Sequence, residues 1–118
     1  KSEKLGTVDV EAKYMNRVHE GFRAVVSYGL GTTYMGKYQN IGAGKTGTSQ
    51  SFIDTDGNGV IDTETITTSF VGYAPYDNPK MSIVVISPDV AEADTDTTSS
   101  INKRLSSKIV NKYFEIYK

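Results

Sequence analysis

Apolar residues recur near the start of the chain at three- and four-residue steps: Tyr14, Val18, Phe22 and Val25. That spacing predicts one face of a helix over about residues 9–28. Thr7 or Asp9 suits its start, Glu11 its first turn, and Gly29 and Gly31 its end. His19 falls off the stripe and reads as a solvated helix position. The pattern then changes. The segment Ile41–Phe52, IGAGKTGTSQSF, is rich in Gly, Thr and Ser, and Thr46 and Thr48 alternate around Gly47. This reads as a strand over about 41–52, exposed at a sheet edge. The runs TITTSFVGYAP and MSIVVIS predict strands at about 65–75 and 81–87, joined as an antiparallel hairpin by a turn holding Pro75, Asp77, Asn78 and Pro79. An acidic loop is expected from Pro88 to Asp96. Ile101, Leu105, Ile109, Tyr113 and Ile116 then mark the apolar face of a closing helix over about 99–117, with Thr98 or Ser99 as its cap.

The expected fold class is α/β: an antiparallel three-stranded sheet with N- and C-terminal helices, spanning 1–118. One feature does not suit a finished domain. MSIVVIS is apolar on both alternating faces, as in a central strand covered on both sides. Only the preceding strand is an obvious partner, so its other edge would be bare and hydrophobic, which natural proteins avoid. The pattern implies a missing neighbour, supplied by another chain or by residues upstream. The chain opens at Lys1 without a recognisable signal peptide and is expected to be a piece of something longer.

Composition narrows the chemistry. The chain has 118 residues and a net charge of -1, which does not point to nucleic acid as a partner. With no cysteine, disulfides and thiolate metal sites are excluded. With one histidine, neither a catalytic triad nor a histidine-pair metal site is available. No apolar run approaches the roughly 18 residues of a membrane span.

Gly44-Lys45-Thr46-Gly47-Thr48 carries the most chemistry. It is not a phosphate loop, because that motif needs a glycine where Gln39 stands and a helix after the lysine. Read instead as a strand, the segment sets a lysine cation beside hydroxyls, which attracts a carboxylate. Gly47 lets an extended ligand backbone approach the edge, and the Thr48 N–H can face a developing oxyanion.

Lys-Thr-Gly on a strand resembles the third motif of serine acyl-transferases of the penicillin-binding and β-lactamase group. The flanks extend the likeness over about residues 10–118. VHEGFRAVVSYGLGT resembles the helix that precedes this strand in class B penicillin-binding proteins, and TTSFVGYAPYDNPKMSIVVISPD resembles the hairpin that follows it. The resemblance implies the C-terminal portion of a transpeptidase domain with a five-stranded sheet, in which the last strand lies beside the domain's first. It implies binding of D-Ala-D-Ala peptidoglycan stem peptides and of β-lactams by Lys45, Thr46, Gly47 and Thr48. It also implies residence on the extracytoplasmic face of a bacterial membrane, through an anchor outside this chain. The family's nucleophile motif, Ser-x-x-Lys, does not occur before Lys45. Ser100-Ile101-Asn102-Lys103 has the spacing but follows the third motif and reads as helix-start chemistry. No catalytic residue is therefore expected in this chain, and no cofactor is required. Its partners are expected to be the remainder of the domain or a second copy paired through Met81–Ser87.

The loop Asp54–Asp62, DTDGNGVID, follows the calcium-loop pattern through nine positions. Asp54, Asp56, Asn58, the Val60 carbonyl, Asp62 and Glu64 are candidate ligands. The expected twelfth-position glutamate is Thr65, with Glu64 one residue early. The other reading of the chain is thus a non-catalytic extracellular binding module with a Ca2+ loop, and the plain reading of the loop is a polar hairpin turn.

Overall fold

The computed structural model describes residues 3–92 and 100–117. The elements run α1 (Ala12–Ser27), a 3₁₀ helix (Gly36–Ile41), β1 (Ala43–Ile53), β2 (Thr63–Ala74), β3 (Met81–Glu92) and α2 (Ile101–Ile116). The strands form one antiparallel sheet in the order β1-β2-β3. The helix–three strands–helix reading holds, and β1 lies at an edge as its glycines suggest.

Register sorts the side chains. Thr46 pairs with Phe70 and Phe70 with Val85; Lys45 pairs with Val71 and Val71 with Val84. Directly opposed residues share a face. One face therefore carries Phe70, Ile83 and Val85, all buried with Val26, Met35, Ala74 and Val110 in a single core. α2 packs on β2 and β3, and α1 on β1. Tyr34 stacks on Phe70 at 4.5 Å and Tyr38 on Phe114 at 4.4 Å, closing the core around the 3₁₀ helix.

Several expectations are corrected. α1 starts at Ala12, and its N-cap is Glu11 without a side-chain cap bond, so Thr7 and Asp9 do not cap it. Its glycine stop is confirmed: Gly29 and Gly31 donate to the Ala24 and Val25 carbonyls at 3.1 and 3.0 Å. Tyr14 and Val18 are exposed, while Val26, one turn beyond Phe22, is the buried residue. His19 is half-buried rather than solvated, with its ring 6.0 Å from Tyr73 and 6.4 Å from Tyr76. β2 begins at Thr63, earlier than its apolar run.

β3 does not end at Pro88 but runs to Glu92. Proline is tolerated at a sheet edge or bulge, and β3 offers both: it pairs only with β2, whose register shifts between Ile66 and Thr68. Asp89 takes a hydroxyl bond from Thr65 at 2.5 Å and donates its N–H to Thr67 Oγ1 at 3.3 Å, which secures the extension. The rest of the expected acidic loop, 93–96, and the caps Thr98 and Ser99 lie outside the described residues.

The largest correction concerns α2. Of its predicted apolar stripe, Ile101, Leu105, Ile109 and Ile116 face outward, while Tyr113 is half-buried and donates its hydroxyl to the Lys80 carbonyl at 2.9 Å. The buried stripe is Asn102, Ser106 and Val110. Hydrogen bonds explain the choice. Asn102 accepts from Ser87 Oγ at 2.5 Å and donates to Thr68 Oγ1 at 3.0 Å. Ser106 Oγ donates to the Tyr34 carbonyl at 2.9 Å. Buried polar groups are retained when each finds a partner.

Candidate functional site

β1 displays the Lys45–Thr48 segment on an edge strand paired with β2 alone. An edge strand presents main-chain N–H and C=O groups to an incoming extended chain. Alternation divides the four residues: Thr46 and Thr48 share one face, Lys45 and Gly47 the other. Lys45 and Thr48 are exposed; Thr46 and Gly47 are half-buried. Lys45 Nζ turns back to donate to the Thr46 carbonyl at 2.6 Å.

Gly47 pairs across the sheet with Ser69. A Cβ at Gly47 would stand 2.5 Å from Ser69 Oγ, so the absent side chain keeps that hydroxyl against the strand. Ser69 was not singled out from sequence; only the register brings it beside the motif. The face it shares with Lys45 continues through Val71, Val84 and Ile86. Val84 and Ile86 are 64% and 62% exposed. The lysine cation thus sits at the border of an apolar surface that this chain leaves uncovered.

The start of β1 is held firmly. Gly42, Ala43 and Gly44 are all buried. Just before them, Arg23 Nη1 on α1 donates to the carbonyls of Gln39 at 2.9 Å and Gly42 at 3.0 Å, and Nη2 donates to the Asn40 carbonyl. The intervening Ile41 carbonyl accepts the Tyr76 N–H at 2.6 Å.

The hairpin tip between β1 and β2 gathers part of the candidate cation set. Asp54, Asp56 and Asp62 bring carboxylate oxygens within 4.8 Å of one another. Asp54 accepts the N–H groups of Gly57, Asn58 and Gly59 at 2.7, 3.2 and 2.6 Å, with Gly57 and Gly59 at positive φ as the turn requires. The Gly59 N–H above all holds the Asp54 carboxyl below the ordinary value of 3.8. Thr63 and then Thr55 do the same for Asp62. Asn58 and Val60 belong to the same turn: Asn58 Oδ1 accepts the Val60 N–H at 2.7 Å, and the Asn58 amide donates to Asp56 at 2.9 Å. Glu64 is not brought in; it accepts from Gln50 Nε2 at 2.5 Å on the strands below. At the opposite end of the sheet, burial pushes the Tyr73 hydroxyl up, and it has no hydrogen-bond partner among the described residues.

Comparison with known proteins gives the family. A family model described as the penicillin binding protein transpeptidase domain matches residues 1–111. The chain is 35% identical over 114 residues to penicillin-binding protein 2A of Bacillus subtilis (strain 168), covering 97% of this chain and 16% of that protein. It is 30% identical over 114 residues to penicillin-binding protein 2B of Streptococcus pneumoniae serotype 2, covering 92% of this chain and 15% of that protein. Penicillin-binding protein H of Bacillus subtilis is 27% identical over 114 residues, covering 97% of this chain and 15% of that protein. The chain therefore spans only a small part of the curated relatives it matches.

Proposed function

This chain belongs to the penicillin-binding protein transpeptidase family, and from that premise we propose that it supplies the substrate- and β-lactam-binding strand of a peptidoglycan D,D-transpeptidase. The observation that carries the reading is the position of Lys45. It stands on an edge strand and on the one sheet face whose apolar residues, Val71, Val84 and Ile86, are left uncovered. A segment that covers those residues comes to lie against the lysine. The remainder of the domain is that segment, and it brings the nucleophilic serine.

The chemistry follows from this division. The serine oxygen attacks the penultimate D-alanine carbonyl of a stem peptide. An ester bond to serine forms, the C–N bond to the terminal D-alanine breaks, and the serine proton leaves with that amine. An amine of a second stem then attacks that ester: a new C–N bond forms, the C–O bond to serine breaks, and a proton from the amine returns to the serine oxygen. In this scheme the Lys45 cation favours the substrate or β-lactam carboxylate, and the Thr46 and Thr48 hydroxyls bond it. The Thr48 N–H stabilises the oxyanion, and Gly47 leaves room for the peptide. This chain is not catalytic alone. In this reading the whole protein works on the extracytoplasmic face of a bacterial membrane, through an anchor outside this chain.

Covalent labelling by a fluorescent penicillin tests the proposal. The full-length protein is expected to label, and the 118-residue chain alone is not. Labelling of the chain alone would overturn the division and make Ser100 the suspect. A folded full-length protein that does not label would reject the transpeptidase reading. Light scattering of the isolated chain addresses the other occupant of the bare β3 edge, a second copy.

A narrower proposal concerns the hairpin tip. Asp54, Asp56 and Asp62 converge closely enough to share one hard cation. With Glu64 held by Gln50, the twelfth-position bidentate ligand is lacking. The expected affinity for calcium is therefore on the order of 0.1–1 mM. Isothermal titration should show calcium heat that Asp54→Ala and Asp56→Ala abolish; no heat up to millimolar calcium rejects the site.

A further inference from the structure

We propose that Arg23 is a positioning residue for the Lys45–Thr48 strand, fixing where β1 begins relative to α1. The proposal rests on the reading of β1 as the binding strand.

The end of a helix leaves carbonyls without intrahelical partners. At the end of the 3₁₀ helix and immediately before β1 these are the carbonyls of Asn40, Ile41 and Gly42; the fourth in the row, Gln39, already accepts the Gly42 N–H at 3.3 Å and shares its oxygen with Arg23. All four are occupied. One guanidinium takes three, and the Tyr76 N–H takes the fourth. A planar fork with five donors can hold three carbonyls at once, whereas a lysine ammonium is a point charge on a flexible stem. Arg23 forms no salt bridge among the described residues. Its charge is matched by carbonyl dipoles, as suits a cation at a helix C-terminus.

The link from this clamp to the motif is short and stiff. Only Ala43 and Gly44 separate Gly42 from Lys45, and all three residues before the lysine are buried. Pairing with β2 sets the position of β1 within the sheet. The three bonds from Arg23 set it against α1. Arg17 on the same helix provides the contrast: it is exposed and pairs with Glu20 at 2.8 Å, one turn along its own helix. A small displacement of a substrate-holding group is costly for reaction rate even where fold stability changes little.

The test uses the full-length protein with Arg23→Ala, Arg23→Lys and Arg17→Ala. A fourth variant, Val110→Ala, loosens the core without touching the clamp. Acylation by a fluorescent penicillin is resolved into its binding constant and its acylation rate constant. Hydrogen exchange is followed on a peptide spanning residues 42–48. Arg23→Ala should slow acylation about tenfold, and Arg23→Lys should recover part of that loss. Exchange over 42–48 should quicken only in the Arg23 variants. Val110→Ala, compared at matched melting temperature, and Arg17→Ala should leave both readouts near wild type. The proposal is overturned if Arg23→Ala acylates like Val110→Ala at matched stability, or if exchange over 42–48 is unchanged. Should Arg23→Ala fail to fold, Arg23→Lys decides: wild-type acylation and exchange in a folded Arg23→Lys protein reject the role. A wild-type protein that does not label would refute the binding-strand reading instead, and the exchange data would still judge Arg23.

Discussion

Val84 and Val85 are neighbours on β3, identical in chemistry and opposite in circumstance. Val85 is 9% exposed, under α2 and against Phe70, while Val84 is 64% exposed on the face of Lys45. Nothing in the residue type explains the difference; the cover does. This chain covers one face with α2, the 3₁₀ helix and Tyr34; on the other, α1 reaches the end at Ala43 and Tyr73 and leaves Val71, Val84 and Ile86 exposed. The other face has a sequence equally fit for burial. Such a strand is suited to the middle of a three-layer structure, and the outward stripe Ile101, Leu105 and Ile109 on α2 points the same way. Lys45 lies on the border of the exposed side.

The comparison can be broken by substitution. Phe70→Ala strikes the covered face and should cost about 3–5 kcal/mol, much of what a small domain possesses. Val84→Ala in the isolated chain should change stability by less than about 0.5 kcal/mol, but in the full-length protein it should behave as a buried truncation. Urea unfolding of both forms measures this, and equal small effects in both would remove the distinction between the faces. Next in size is Asn102→Ala, which strands Ser87 and Thr68 and should cost about 1–3 kcal/mol. Lys45→Ala sharpens the functional side. It should lower penicillin acylation of the full-length protein about tenfold or more while the melting temperature stays put, since Lys45 is exposed and its bond to the Thr46 carbonyl stays within the strand.

The smallest effect is expected at the hairpin tip. Asp54 has its folded pKa below the ordinary 3.8, so its ordering effect is present above that value and lost as pH falls through the lower folded one. Amide shifts of Gly57, Asn58 and Gly59 should hold at pH 5 and move together below about pH 4. Movement centred well above that would contradict the bonding to Asp54.

Much of this was legible in the sequence, for identifiable reasons. Alternation around Gly47 marked an edge strand, and two-faced apolarity in MSIVVIS marked a strand with a second apolar face, which this chain leaves exposed at Val84 and Ile86. Aspartates and glycines marked the turn at residues 54–59. The helix face of α2 was not legible, because Asn102, Ser106 and Val110 recur at the same spacing as Ile101, Leu105 and Ile109. Periodicity finds a stripe but not which stripe the rest of the chain covers. Pro88 hid the extension of β3, since an edge and a bulge both excuse a missing N–H. Arg23 gave no signal: a lone arginine on a helix reads as solvated until its carbonyl partners, on a segment distant in sequence, are placed.

The central claim is that the face shared by Lys45 and Val84 is closed by the rest of the protein. Val84→Cys, in a chain that otherwise has no cysteine, allows a direct measurement: the rate of thiol modification in the isolated chain and in the full-length protein. The account predicts ready modification in the chain and slowing of about a hundredfold or more in the full-length protein, where reaction must await local opening. Equal rates in the two would mean that nothing closes over this face, and the claim would fall.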